Sequence, residues 1–155
     1  MSNVETTFVA IKPDGVERKL IGRVIERFEQ KGLTLVGMKL TKVSPQQAEQ
    51  YYGEHKGKGF YPGLIEHITS GPIVAMVWRG PNAVAQCRQA IGSTNPVQAA
   101  PGSIRGDYAV EVGRNVVHGS DSPESAQREI GIFFGKDDIM NDWSPTVSKW
   151  VFELV

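Results

Sequence analysis

Only one cysteine occurs among 155 residues, and no net charge is left over: Lys and Arg number 17, Asp and Glu 17. Cys87 has no partner for an internal disulfide, and the composition suits a reducing compartment. The thiol falls in a helical pattern with Ala83, Ala90 and Ile91, which makes it a packed core residue and not a reactive one. No Cys/His spacing matches a zinc site. Balanced charge argues against broad binding to a nucleic-acid backbone, and leaves room for a local cationic cleft around one phosphorylated small molecule. No apolar stretch is long enough to cross a bilayer. The first residues show no basic segment followed by an apolar run, so no secretory signal is expected and the cytoplasm is the expected compartment. Neither G-x-x-x-x-G-K-S/T nor G-x-G-x-x-G occurs, so a nucleoside triphosphate would be held without either common glycine-rich phosphate loop. Internal repeats and low-complexity segments are also missing.

What is present suffices for one folded unit. With 40% hydrophobic residues the chain can bury a real core, and residues 1–155 read as a single domain. Thr6–Ile11 is a β-prone run ending in Lys12-Pro13-Asp14-Gly15, a turn signal. Ile21, Val24, Ile25 and Phe28 fall at helical spacing, and Gly32 closes that helix. Leu33–Val43 reads as a second strand. Ser44-Pro45 opens a helix through Tyr51 and Tyr52, with Ser44 as its cap. Gly53–Gly59 is a loop, and Leu64, Ile65 and Ile68 mark a short helix ending at Gly71. Pro72–Trp78 lacks polar alternation, which predicts a strand buried on both faces. Asn82 is the expected cap of a helix carrying Val84, Cys87 and Ile91. Gly92–Gly106 loses all periodicity, and a loop of that length in a compact domain is usually functional or disordered. Tyr108–Val112 is β-prone, and a helix runs from Pro123 to about Phe134 with Ala126, Ile130 and Phe133 inward. Residues 137–155 form a tail whose Trp143 and Trp150 predict packing on the domain or on a neighbouring subunit. This order resembles a β-α-β-β-α-β plait: an α+β, ferredoxin-like fold with a four-stranded antiparallel sheet, helices on one face and a long loop insertion. Taking the first and last strands as the central pair brings Lys12 near His118.

The chemistry concentrates in Asn115-Val116-Val117-His118-Gly119-Ser120-Asp121-Ser122. Two β-branched residues lead into an imidazole, and glycine, hydroxyl and acid follow, as where a strand stops abruptly. Ser122-Pro123-Glu124 then starts a helix. A histidine at such a junction is placed to act as a nucleophile, because its ordinary pKa of about 6.5 leaves a lone pair free at neutral pH. Around the long loop stand Arg88, Thr94 and Arg105. A guanidinium offers a rigid fork of donors that phosphate oxygens accept in pairs. A surface arginine taken alone is more often merely solvated; two of them with a hydroxyl around one loop favour an anion site.

The runs A-I-K-P-D-G-V, Y-P-G-L, S-G-P-I-V-A-M-V-W, T-N-P, P-G-S-I-R-G-D and N-V-V-H-G-S-D-S resemble the signatures of the nucleoside diphosphate kinase family over nearly the whole chain. The resemblance implies transfer of a terminal phosphoryl group from a nucleoside triphosphate to a nucleoside diphosphate by a ping-pong mechanism. His118 matches the nucleophile that becomes a phosphohistidine, and Glu129 matches its carboxylate partner. Lys12 matches the lysine that contacts phosphate and ribose hydroxyl. Arg88, Thr94 and Arg105 match phosphate binders, and Asn115 the residue that holds the ribose 3′-hydroxyl. Phe60 matches the ring on which the base stacks, with Val112 on its other face. Tyr52 and Ser120 match residues that hydrogen-bond within the catalytic centre. His55 and Asp121 match positions near phosphate and magnesium. Broad base acceptance follows, since every base offers a π face. Mg2+ is expected to arrive on the nucleotide phosphates with no protein ligand of its own, near Asp121. The partners implied are nucleoside di- and triphosphates and further copies of the chain, a hexamer in preference to a tetramer, with no membrane and no specific nucleic acid.

Gly59 stands where the family commonly has proline, which frees the loop before Phe60, and Ser103 stands where threonine is usual. Two other classes compete. Plait domains often bind RNA on the sheet, but the aromatic RNA-binding signature is missing here. An inactive oligomeric scaffold is disfavoured because every matched site residue is intact.

Overall fold

The structure, a computed structural model, describes residues 4–153. Its sheet is antiparallel and ordered β2-β3-β1-β4, with β1 at Val4–Ile11, β2 at Thr34–Lys42, β3 at Pro72–Pro81 and β4 at Val117–Gly119. The central pair is therefore β1–β3, and β4 is an edge strand, contrary to the expected first-and-last pairing. Lys12 and His118 still come together, because β4 is hydrogen-bonded directly to β1.

Helices cover both faces of this sheet, not the single face expected. The reason lies in β1 and β3, which are apolar on both sides and need cover on both. Val74, Met76 and Trp78 join Val9 and Ile11 in one core, closed by Val24 and Phe28 of α2 (Ile21–Lys31) and Cys87 and Ile91 of α5 (Ala83–Ile91). Ile73, Ala75 and Val77 join Phe8 and Ala10 in the other. That second core is closed by Ala48 and Tyr51 of α3 (Pro45–Tyr51), Ile68 of α4 (Tyr61–Thr69), and Ile130 and Phe133 of α7 (Pro123–Phe133). The buried Cys87 thiol is pushed up to about 12 by desolvation, in keeping with a core residue.

Several local signals act as read. Ser44 caps α3 in a full capping box with Gln47. Gly32 ends α2 in the left-handed conformation, φ 98°. Other signals do not. Lys12-Pro13-Asp14-Gly15 is not an open turn but the start of the short helix α1 (Pro13–Glu17), begun by proline at a favoured position. Asn82 occupies the position before α5 at φ 48°, and its side chain makes no cap; Glu5 Oε1 accepts the Val84 N–H at 2.9 Å instead. Tyr108 ends the helix α6 (Ile104–Tyr108), and Val112 opens a 3-10 turn, so no strand forms there. The Ser103 hydroxyl accepts the Gly106 N–H and outweighs the β preference of tyrosine and valine. In the tail, Arg79 donates to the carbonyls of Met140 and Trp143 and to the Ser144 hydroxyl, while the Trp150 ring stays 82% exposed.

Gly15 is where the first helix meets the segment leading to β4. A Cβ there would lie 2.7 Å from Ile11 Cγ2 and 2.9 Å from the Val116 carbonyl oxygen. Gly15→Ala is expected to lower stability by about 2 kcal/mol or more, the usual cost of overpacking. Thermal or urea unfolding measures this, and an unchanged midpoint would show that the two segments are not in contact.

Candidate active site

β4 is three residues long, and His118 sits at its centre opposite Ala10 of β1. The chain reaches it through Val116, whose φ of 72° lies in the left-handed region that β-branched residues rarely enter. Across that residue the Val117 N–H donates to the Asn115 carbonyl at 2.8 Å, closing a tight three-residue turn. Such backbone stores on the order of 1–3 kcal/mol and persists only where its surroundings over-determine it. Here Asp14 Oδ2 accepts the Val116 N–H at 2.9 Å, and the Val116 carbonyl accepts the Lys12 N–H at 2.8 Å. Buried Arg105 donates to the carbonyls of Asn115, Gly92 and Val117 at 3.3, 3.2 and 2.6 Å.

The imidazole is aimed by its neighbours. His118 Nε2 lies 2.8 Å from Glu129 Oε1, presented by α7 just beyond the Ser122 cap. The Ser120 hydroxyl donates to the same carboxylate oxygen at 2.7 Å, and Arg128 donates to the other at 3.4 Å. Two rings close the space behind it. Tyr51 stands edge-on at 5.0 Å between centroids, and Phe8 at 6.1 Å. Desolvation is the main force on the ring and holds its pKa below the ordinary value of 6.5; Lys12 and Arg105 act in the same direction, and Glu129 opposes them. The ring is then neutral at pH 7. A carboxylate can only accept, so the Nε2 proton points at Glu129 and the lone pair is left on Nδ1.

Cations crowd the same place. Lys12 Nζ donates to Asn115 Oδ1 at 2.7 Å, and Asn115 Nδ2 donates to the Thr94 carbonyl at 3.1 Å. Burial, then Arg105, brings the Lys12 ammonium down to about 8. Burial, then Arg88, brings Arg105 down to about 10. Arg88 donates to the Gly119 carbonyl at 3.1 Å, one residue past His118. Asp121, exposed at the following turn, is held below the usual carboxylate range by Ser125 and, less strongly, by Arg88 and His118.

The expected site residues thus divide. His118, Glu129, Ser120, Lys12, Asn115, Arg88 and Arg105 form one connected set, with Thr94 joined to it through its carbonyl rather than its hydroxyl. Arg105 has a backbone role that its sequence position did not disclose. Tyr52 packs on Tyr51 at 4.8 Å, and burial, then Glu129 and Asp14, raises its phenol to about 12. Phe60 lies further out with His55 at 5.3 Å and Lys58 Nζ at 5.7 Å from its ring. Phe60 and Val112 are each about half exposed. Asp14 and Tyr51 were not foreseen. The helical period that puts Tyr51 three residues after the buried Ala48 is the signal that reveals it. Nothing local in the sequence reveals Asp14, because its partner Val116 is 102 residues away.

Over nearly its whole length the chain resembles known proteins. The family model described as nucleoside diphosphate kinase matches residues 5–139. A nucleoside diphosphate kinase of Thermosynechococcus vestitus is 59% identical over 151 residues, covering 97% of this chain and 100% of the relative. That of Carboxydothermus hydrogenoformans is 53% identical over 150 residues, with 97% and 100% covered. Among solved structures, a halophilic nucleoside diphosphate kinase from Halobacterium salinarum, in complex with CDP, superposes with a TM-score of 0.94 at 47% identity, covering 97% of this chain and 100% of that one.

The electrostatics of the ring are measurable. The protonation midpoint of His118, followed by NMR, is expected below 6.5. Glu129→Gln removes the group that raises it and moves it lower still. Because the folded ring binds its proton less tightly than the unfolded one, its contribution to stability is complete above 6.5 and is lost as pH falls toward the folded midpoint. A midpoint above the ordinary value, or an upward move in the variant, contradicts the assignment.

Proposed function

This chain belongs to the nucleoside diphosphate kinase family, and from that premise we propose that His118 carries the phosphoryl group between two nucleotides. The activity is transfer of a terminal phosphoryl group from a nucleoside triphosphate to a nucleoside diphosphate. One observation carries the choice of His118: its Nε2 is engaged by Glu129 at 2.8 Å while Lys12, Arg88 and Arg105 gather around it. The Nδ1 lone pair attacks the γ-phosphorus, the bond from that phosphorus to the bridging oxygen breaks, and the first diphosphate leaves. The imidazole, now phosphorylated on Nδ1, keeps its Nε2 proton on Glu129, whose carboxylate meets the positive charge the ring develops. A terminal oxygen of the second diphosphate then attacks phosphorus, and the P–N bond breaks. Ser120 fixes Glu129, and Tyr52 packs at the edge of the same centre.

Lys12, Arg88 and Arg105 neutralise phosphate charge, which is most of what this chemistry requires. Thr94 binds phosphate beside them. Asn115 and Lys12 hold the ribose hydroxyl, while Phe60 stacks on the base with Val112 opposite. His55 stands beside the ring at the outer end. Stacking without base-edge readout supports broad acceptance of bases. Among the described residues no three His, Cys, Asp or Glu side chains gather as a metal cage. The carboxylate of Asp121, exposed near the site, suits the neighbourhood of a hard cation held on the nucleotide phosphates with no protein ligand of its own. Mg2+ carried in on the nucleotide near Asp121 would draw off phosphate charge.

We read the chain as one domain, residues 137–155 being a tail on its surface or on a neighbour, and as a homo-oligomer, a hexamer rather than a tetramer. Apolar Met38 and Leu40, 52% and 65% exposed on the edge strand β2, and exposed Trp143 and Trp150 support association. Among the described residues no helix is long and apolar enough to cross a membrane. The cytoplasm is the proposed compartment, from the lone reduced cysteine.

Incubation with a γ-labelled nucleoside triphosphate and Mg2+ is expected to leave an acid-labile label on His118, discharged by a nucleoside diphosphate. His118→Ala should lose both label and turnover while keeping its fold; exchange by the pure variant sinks the assignment. Sedimentation at assay concentration is expected to give six chains, and a mass of four or fewer removes the hexamer.

A further inference from the structure

Asp14 has a second partner that the mechanism does not use. Its Oδ2 accepts the Val116 N–H, and its Oδ1 lies 2.9 Å from His67 Nε2. His67 belongs to the last turn of α4, the helix that begins one residue after Phe60. Both side chains are largely shielded, 17% and 8% exposed for His67 and Asp14. We propose that His67 is a positioning residue: by holding one oxygen of Asp14 it orients the other onto Val116, and so sets the register of Asn115 and His118 against Lys12. The proposal rests on the reading of His118 as phosphoryl carrier.

The geometry carries this in three steps. A carboxylate with one hydrogen bond can swing about its side-chain torsion, and a second bond on the other oxygen fixes its plane. The group it fixes is not ordinary backbone. Val116 sits at φ 72°, two residues before the nucleophile, with its N–H given to Asp14 and its carbonyl taken by the Lys12 N–H at 2.8 Å. Release of the N–H leaves strained backbone free to relax, and relaxation displaces both Asn115 and His118. Finally, the tether begins in α4. The helix whose first end carries the proposed base-stacking ring is tied at its last turn to the segment that carries the nucleophile. Small misplacements of reacting groups are costly, which is how a residue that touches no substrate gains influence on rate.

The test separates positioning from mere stability. His67→Phe keeps the ring volume and removes the hydrogen bond; His67→Gln keeps a donor. Steady-state exchange is measured well below each variant's melting temperature, with Asp14→Asn alone and combined with His67→Phe. The expected result is a fall in kcat of about tenfold or more for His67→Phe, with KM for the nucleotide within about twofold. His67→Gln should recover most of the rate, and the double variant should lose less than the product of the single losses. A melting temperature that falls while kcat holds, or fully multiplicative losses, overturns the proposal. Should His67→Phe not fold, His67→Ala is assayed with added imidazole: recovery of kcat supports the tether and no response overturns it. Failure of the wild-type protein to label His118 removes the underlying reading, whereas normal labelling with an indifferent His67→Phe removes only the role of His67.

Discussion

The turn at Val116 is the constraint on which the site depends. It forces a β-branched residue into left-handed backbone immediately before a three-residue edge strand, a conformation the local sequence disfavours. What keeps it there comes from elsewhere in the chain: the Lys12 N–H just past β1, Asp14 from α1, and Arg105 from α6. Asp14 is 102 residues from Val116, whereas Arg105 is 10 and 12 residues from the Asn115 and Val117 carbonyls it holds. The same turn delivers Asn115 to Lys12 on one side and His118 to Glu129 on the other. Strain is concentrated in one residue, and the gain is that the His118 imidazole, its carboxylate partner and an ammonium are fixed by a single bend.

Electrostatics give the site its appetite for anions. The chain has no net charge, yet burial and then Arg105 depress Lys12, and burial and then Arg88 depress Arg105. An ammonium brought to about 8 is still mostly charged at pH 7, so the pocket holds positive charge that water solvates poorly. A polyphosphate relieves that repulsion as it binds. Burial, and after it Lys12 and Arg105, favour the neutral imidazole, so under the proposed assignment the cations that attract the phosphate also help keep the nucleophile unprotonated. Glu129 acts against this in part; it orients the free ring, and under the proposed assignment it also meets the charge of the phosphorylated one.

Much of this was legible in the sequence where the signal is local. The unalternating run around Ala75, the Ser44 cap and the Gly32 stop are decided within a few residues, and the structure has them as read. The motif around His118 marked the imidazole that the structure sets against Glu129 and among Lys12 and Arg105. The illegible parts have long-range causes. Val116-Val117 reads as ordinary strand because its distortion is imposed by Asp14 and Arg105. Tyr108 reads as strand from its β preference, yet it ends α6, which the Ser103 hydroxyl and the Arg27–Asp107 ion pair at 2.6 Å favour. Arg105 reads as a phosphate ligand, and three of its donor contacts go to backbone carbonyls, a use that no composition or spacing displays. Helices on both faces were implicit in β1 and β3, since a strand apolar on both sides has to be covered twice.

A single site that serves two different nucleotides in turn must be rigid where they agree and tolerant where they differ. Phosphates and ribose are common to both, and under the proposed assignment the groups that meet them lie in β4, α5 and α6, at Lys12 just past β1, at Thr94 in the loop after α5, or in the turn at Asn115. The base differs, and the ring assigned to it has no such support. Phe60 is half exposed, next to Lys58 and His55, after a segment in which Gly57 takes φ 90° and Gly59 replaces a stiffer residue of the family. A loosely held aromatic face accepts purine and pyrimidine alike and contributes area more than selectivity. Tightening that loop would gain affinity for whichever base fitted best and would slow the exchange of one nucleotide for the next. The mobility that glycine permits at the base end and the strain imposed at the phosphate end therefore answer one requirement: the donor and the acceptor must present phosphorus to the same nitrogen in the same pose.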